Sequence, residues 1–200
     1  MYRLYEFSPS GNCYKVRLLL TQLGIPFERV EIDITKGETA SADFLKKNPN
    51  GRTPVLEIKE GQYLSESNAI LFHLAEGTNF LPEHKFQKAL VLQWMFFEQY
   101  DHEPNIATSR YWISILGKAN EYRQELKKKQ EAGYEVLGVM EAHLTRQTFF
   151  VGNRYTIADI ALYAYTHVAH EGGFDLSRFP AIQKWFKKVE AQPRYLKITE

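Results

Sequence analysis

What most constrains this chain is the order of its strand and helix signals, and the place where one kind of signal stops. Tyr2 to Phe7 is a short apolar run that predicts a strand. Tyr14 to Leu23 carries Val16, Leu19, Leu20 and Leu23 at three-and-four spacing, one face of a helix. Gly24-Ile25-Pro26 ends it, because glycine accepts the left-handed position after a helix and proline cannot continue one. Phe27 to Ile34 alternates and predicts a strand. Ala42 to Lys47 predicts a short helix. Pro54 to Ile58 predicts a strand, Lys59-Glu60-Gly61-Gln62 a tight turn into Tyr63-Leu64, and Ser67 to Ala75 a helix with Ile70, Leu71 and Leu74 inward. From Glu83 onward strand signals vanish. Helical stretches fit Lys85 to Leu116, Lys118 to Arg146, Ile157 to His170 and Pro180 to Ala191.

A βαβ unit followed by a hairpin and a helix makes a mixed sheet with helices on it. The expected organisation is therefore an α/β domain over residues 1–77, a linker over 78–83 and an all-helical domain over 84–200. Within the second part, Thr156-Ile157-Ala158-Asp159 ahead of Ile160, Ala161 and Leu162 reads as an N-terminal capping box, with aspartate where glutamate or glutamine is more usual. Its role is structural.

Composition excludes several classes of partner. The 25 basic and 24 acidic residues leave a net charge of +1, so neither nucleic acid nor a membrane surface is an electrostatic partner. Lys127-Lys128-Lys129 is local, among Glu121, Glu125 and Glu131. Cys13 is the one cysteine, so no intramolecular disulfide forms, which suits a reducing compartment. No run approaches the roughly 20 apolar residues of a transmembrane helix, and the start of the chain lacks an apolar signal segment. A cytoplasmic protein is expected.

Three polar segments carry the chemistry. Ser8-Pro9-Ser10-Gly11-Asn12-Cys13 joins the first strand to the first helix. A helix start with hydroxyl, amide and backbone N–H groups suits an anion. Asn48-Pro49-Asn50-Gly51-Arg52-Thr53-Pro54-Val55 leads into the third strand, and Ser65-Glu66-Ser67-Asn68 opens the third helix. Taken singly, each has a plainer reading: turn residues, a strand start after proline, and an N-cap serine.

Together, in this order and spacing, they resemble the glutathione-binding half of a glutathione S-transferase of the bacterial, theta- or nu-like cytosolic type. The resemblance covers essentially the whole chain. It implies a thioredoxin-like α/β domain followed by an all-α domain, with glutathione as co-substrate, no metal and a homodimer. It implies activation of the glutathione thiol for attack on a small hydrophobic electrophile. An unperturbed thiol has a pKa of about 8.5, so hydrogen-bond donors and a helix N-terminus must stabilise the thiolate.

The resemblance assigns catalysis to Ser10, then Asn12, then Cys13, with Ser8 left open. It assigns glutathione binding to Arg52, Thr53, Pro54, Val55, Glu66 and Ser67. A cis bond before Pro54 would let Val55 pair with the cysteinyl unit, while Ser67 takes the γ-glutamyl carboxylate and Glu66 the ammonium group. No base stands near Thr39, so the glycine carboxylate falls to Arg52, Lys36 or a helical residue. Among the aromatic groups of the helical part (Trp94, Phe96, Phe97, Trp112), Tyr100, Arg110 and Tyr111 are the expected electrophile-side residues, in a site between the domains. The alternatives are a glutathione-dependent disulfide reductase or peroxidase and a non-catalytic binding protein of the same fold. His167, His170 and Glu171 have the spacing of a metal face, but a surface helix explains them better.

Overall fold

The computed structural model describes residues 1–200. The chain divides into two compact units, Met1–Glu76 with Pro193–Glu200, and Gly77–Gln192. The first boundary lies beside the expected linker. Residues 193–200, expected to close the helical domain, instead pack with the first unit.

The first unit holds a four-stranded sheet in the order β2-β1-β3-β4. β1 (Tyr2–Glu6) runs parallel to β2 (Phe27–Glu31) and antiparallel to β3 (Val55–Lys59), which pairs antiparallel with β4 (Gln62–Ser65). α1 (Gly11–Leu23) makes the crossover, and α2 (Ala42–Leu45) and α3 (Ser67–Ala75) follow. Leu4, Leu18, Leu19, Leu56, Ile70 and Leu71 form the core and are fully buried. Gly24 ends α1 at φ 68°, as its type predicts. β2 stops at Glu31, short of the expected Ile34. The cause is local: the Asp33 carboxylate accepts from Thr35 N–H at 2.9 Å and starts a 3₁₀ turn over Ile34–Lys36.

The second unit is helical: α4 (Lys85–Phe97), α5 (Glu103–Arg110), α6 (Arg123–Leu144), α7 (Ile157–Thr166) and α8 (Pro180–Glu190). The predicted stretch from Lys85 to Leu116 is one path interrupted by two five-residue turns of wider helix, Glu98–His102 and Tyr111–Ile115. Pro104 follows the first, and it has no N–H to give to the preceding turn; beside it Asn105 Nδ2 donates to the carbonyl of Asp101 at 2.6 Å. α6 begins five residues later than expected. The Thr156 box forms as read. Thr156 Oγ1 accepts from Ala158 N–H, and Asp159 Oδ2 accepts from Thr156 N–H at 2.9 Å. Asp159 Oδ1 then reaches Trp185 Nε1 at 3.0 Å and Phe150 N–H at 3.2 Å. No helix is long and apolar enough to cross a membrane.

Candidate active site

α1 opens at Ser10. Its hydroxyl oxygen accepts from Cys13 N–H at 3.4 Å, its N–H donates to the carbonyl of Phe7 at 2.8 Å, and its carbonyl accepts from Tyr14 N–H at 2.9 Å. A serine that caps its helix in this way holds its side chain at the positive end of the dipole. Ser10 and Asn12 are half-buried. Both stand at the first turn, where a thiolate would meet hydroxyl and amide donors.

Cys13 stands differently. Its side chain is fully buried, and its sulfur accepts from Phe7 N–H at 3.3 Å. Burial pushes the thiol up to about 11, against the opposing pull of the Phe7 N–H and the Thr53 and Ser10 hydroxyls. A buried, protonated thiol is neither a nucleophile nor an accessible partner for a mixed disulfide. The sequence reading ranks Cys13 third among the catalytic residues, and its burial sets it apart from half-buried Ser10 and Asn12. Cys13→Ala is expected to leave conjugation within about twofold of the parent and to cost about 1 kcal/mol of stability. Parallel assays of conjugation and of disulfide reduction check this, and selective loss of the second would return the cysteine to the chemistry.

The second motif starts from Asn48, nearly buried. Its Nδ2 donates to the carbonyl of Arg52 at 2.7 Å, and its Oδ1 accepts from Asn50 N–H at 3.1 Å. Gly51, at φ 63°, completes the turn, and a Cβ there would stand 3.3 Å from the carbonyl oxygen of Thr39. The Arg52 side chain is exposed beside this turn. The Thr53–Pro54 bond is cis. Val55, which the sequence reading pairs with the cysteinyl unit, is the first residue of β3 and is buried. It lies opposite Tyr5 on one side and Ser65 on the other, so its N–H and C=O meet a neighbouring strand whichever way they point. Thr53, outside the ladder and half-buried, has main-chain groups not committed to the sheet. Lys36, the other candidate base, is ion-paired with Asp33 at 2.9 Å.

At the third motif Ser67 is the first residue of α3 and 4% exposed. Glu66 precedes it at φ 68° and ψ 111°, a backbone conformation that costs a non-glycine residue about 1–3 kcal/mol. Its side chain is exposed.

The three motifs meet. Ser67 Oγ donates to Asn12 Oδ1 at 3.3 Å, and the Thr53 hydroxyl is close enough to the sulfur of Cys13 to favour its ionised form. Sequence reasoning missed one member. Lys15 is fully buried, and its Nζ donates to Ser67 Oγ at 3.3 Å and to Asn68 Oδ1 at 3.4 Å. A cation thus joins the N-terminus of α3, where a carboxylate would be drawn by both. The available signal was its place on the helix: Lys15, Leu18, Leu19 and Gln22 share one buried stripe. Lys15→Met, which keeps the volume, is expected to raise the dissociation constant for glutathione about tenfold while the fold persists; calorimetric titration reads it.

The expected electrophile-side residues separate. Tyr100 is 78% exposed and Tyr111 is half-buried. Arg110 is buried, and its Nε donates to Glu171 at 2.8 Å within the helical unit. His167 stacks on Tyr163, and its Nδ1 lies 2.7 Å from the Tyr163 carbonyl; burial holds its pKa down to about 4. No group of three or more His, Cys, Asp or Glu side chains is placed to hold a metal.

Comparison with known proteins decides the family. The profile of the glutathione S-transferase N-terminal domain matches residues 1–76, and that of the C-terminal domain matches residues 100–193. This chain belongs to the glutathione S-transferase family. A crystal structure of a glutathione S-transferase from Pseudomonas fluorescens Pf-5 superposes with a TM-score of 0.98 at 51% identity, covering 100% of this chain and 99% of that one. A second P. fluorescens family member, crystallised with two glutathione molecules bound, superposes with a TM-score of 0.84 at 25% identity, covering 96% and 89%. The disulfide-bond oxidoreductase YfcG of Escherichia coli K12 is 27% identical over 194 residues, covering 94% of this chain and 89% of its own.

Proposed function

We propose that this glutathione transferase activates the thiol of glutathione at the Ser8–Asn12 turn and directs it at an electrophilic carbon. The Ser10 hydroxyl donates to the thiolate, with the Asn12 amide as second donor. The thiol proton leaves to solvent, the sulfur forms a bond to carbon, and the leaving group departs with its electron pair. Thr53 offers main-chain groups to the cysteinyl unit. Ser67, Lys15 and the start of α3 take the γ-glutamyl carboxylate, Glu66 takes the ammonium group, and Arg52 takes the glycine carboxylate. A small hydrophobic electrophile is the expected second substrate. The expected assembly is a homodimer in the cytoplasm, and Phe86 and Phe96 on α4, 65% and 62% exposed, give it apolar surface.

The observation that carries the reading is the contact between Asn12 and Ser67, which sets a thiolate-stabilising turn beside a carboxylate-binding helix start. A crystal structure with glutathione tests it. The sulfur is expected within roughly 3.5 Å of Ser10 Oγ. A sulfur lodged elsewhere removes Ser10 from the reaction.

The kinship with a disulfide-bond oxidoreductase favours a second reading on the same residues. There the held thiolate attacks a disulfide, forms a mixed disulfide and releases the other sulfur as thiolate.

A further inference from the structure

α1 is covered on faces that the sheet does not explain, and the cover is residues 193–200. Tyr14 and Arg17 form one stripe of the helix and are fully buried. Tyr14 Oη donates to the carbonyl of Leu196 at 2.6 Å, and Arg17 Nη2 to the carbonyl of Ile198 at 2.8 Å. At the far end of the helix, a Cβ on Gly24 would stand 2.0 Å from Arg194 Nη1, so glycine there makes room for this segment.

Arg17 and Arg29 hold the turn that precedes Ser10. Glu6, fully buried, takes Arg17 Nη1 on Oε2 and Arg29 Nε on Oε1, both at 2.5 Å. Arg17 Nη1 and Nη2 both donate to the carbonyl of Ser8 at 3.2 Å. Arg29 Nη2 donates to Ser8 Oγ at 3.1 Å, and its Nη1 to the carbonyl of Glu200 at 2.5 Å. Ser8 N–H in turn donates to Glu31 at 2.9 Å. Each guanidinium therefore has three sides: Glu6 on one, Ser8 on another and the 193–200 segment on the third. Five donors in a fixed plane make arginine suited to bridging of this kind.

We propose that residues 193–200 act as a strap that holds the Ser8–Ser10 turn in place through Arg17 and Arg29. Resting on the reading of that turn as the thiol site, the strap makes Arg17, Arg29 and Tyr14 positioning residues for glutathione activation. With the strap gone, the guanidinium groups lose their third partner and gain alternative rotamers, and the turn loosens two residues before the activating hydroxyl.

Three variants test this: a chain ending at Gln192, Arg29→Lys and Tyr14→Phe. Arg29→Lys keeps the charge against Glu6, but a single ammonium head cannot span Ser8 Oγ and the Glu200 carbonyl. Amide hydrogen exchange at Ser8 and Ser10, measured without glutathione, is expected to quicken about tenfold in the shortened chain and severalfold in the two point variants, while Leu56 in the sheet keeps its protection. Steady-state kinetics of the same proteins are expected to show KM for glutathione raised about fivefold, with the half-maximal pH of kcat/KM moved upward, neither of which a general loss of folded protein would produce. If the shortened chain does not fold, the point variants carry the test. Unchanged exchange at Ser8 and Ser10 in the folded variants overturns the strap. Quickened exchange with unaltered glutathione kinetics upholds the strap and instead takes the turn out of the glutathione site.

Discussion

Ser10→Ala is expected to lower kcat/KM for glutathione conjugation by about two orders of magnitude, the usual cost of deleting one preorganised donor to a developing or stabilised anion. Two effects must be separated, because Ser10 also caps α1 by accepting from Cys13 N–H. The cap contributes about 1 kcal/mol to stability, and its loss leaves a mostly folded protein. The missing hydroxyl proton is what the thiolate feels. Ser10→Thr keeps both the cap and the donor and is expected to retain most of the activity. Ser10→Gly costs a few tenths of a kcal/mol as a cap but removes the donor, so it should match alanine in kinetics and the parent in stability. Denaturation curves and conjugation rates on the three proteins distinguish the roles. An alanine variant as active as the parent shifts the thiol to Asn12.

Asp159→Ala is expected to bring the largest loss of stability, at least about 4 kcal/mol. The Asp159 side chain is fully buried and accepts from Thr156 N–H and hydroxyl, Phe150 N–H and Trp185 Nε1. Alanine leaves those donors in a dry interior. Asparagine at this position would not repair the site. Its carbonyl oxygen can keep Phe150 and Trp185, but its NH₂ would face the N–H of Thr156, so Asp159→Asn is expected to lose about half as much. The site also makes stability depend on pH. Burial raises the Asp159 carboxyl from an ordinary 3.8 to about 6, against the opposing hydrogen bonds. The unfolded chain releases this proton first as pH rises. The contribution is therefore full below about pH 4 and is lost as pH climbs through about 6. Urea unfolding of the parent and the asparagine variant between these limits reads it: the parent's slope should flatten in the variant.

Much of the fold was legible because its signals are local. Gly24-Ile25-Pro26 ends a helix through backbone preference alone, and Thr156 with Asp159 announces a cap within four residues. The end of β2 was misjudged because a side chain, Asp33, overrides the apolar alternation that continues through Ile34. The burial of α1 was not legible, since it depends on what lies against Tyr14 and Arg17. Their partners, Leu196 and Ile198, come from the far end of the sequence. The same limit applies in the site. Ser10, Thr53 and Ser67 are marked by turn and cap chemistry. Lys15 and the burial of Cys13 follow from the packing of the first turn against α3 and Thr53, which no periodicity encodes. The pairing of Val55 on both sides becomes visible only once the sheet order is known.

The central claim is that the turn before α1 makes the sulfur of glutathione easier to ionise. The most direct measurement is the ultraviolet absorbance of the thiolate, followed against pH with glutathione saturating the parent and the Ser10→Ala protein. The parent should show the bound thiol ionising at least about one pH unit below free glutathione, and the variant should return it toward the free value. A bound thiol that titrates as it does in buffer, or one equally acidified in both proteins, would contradict the account.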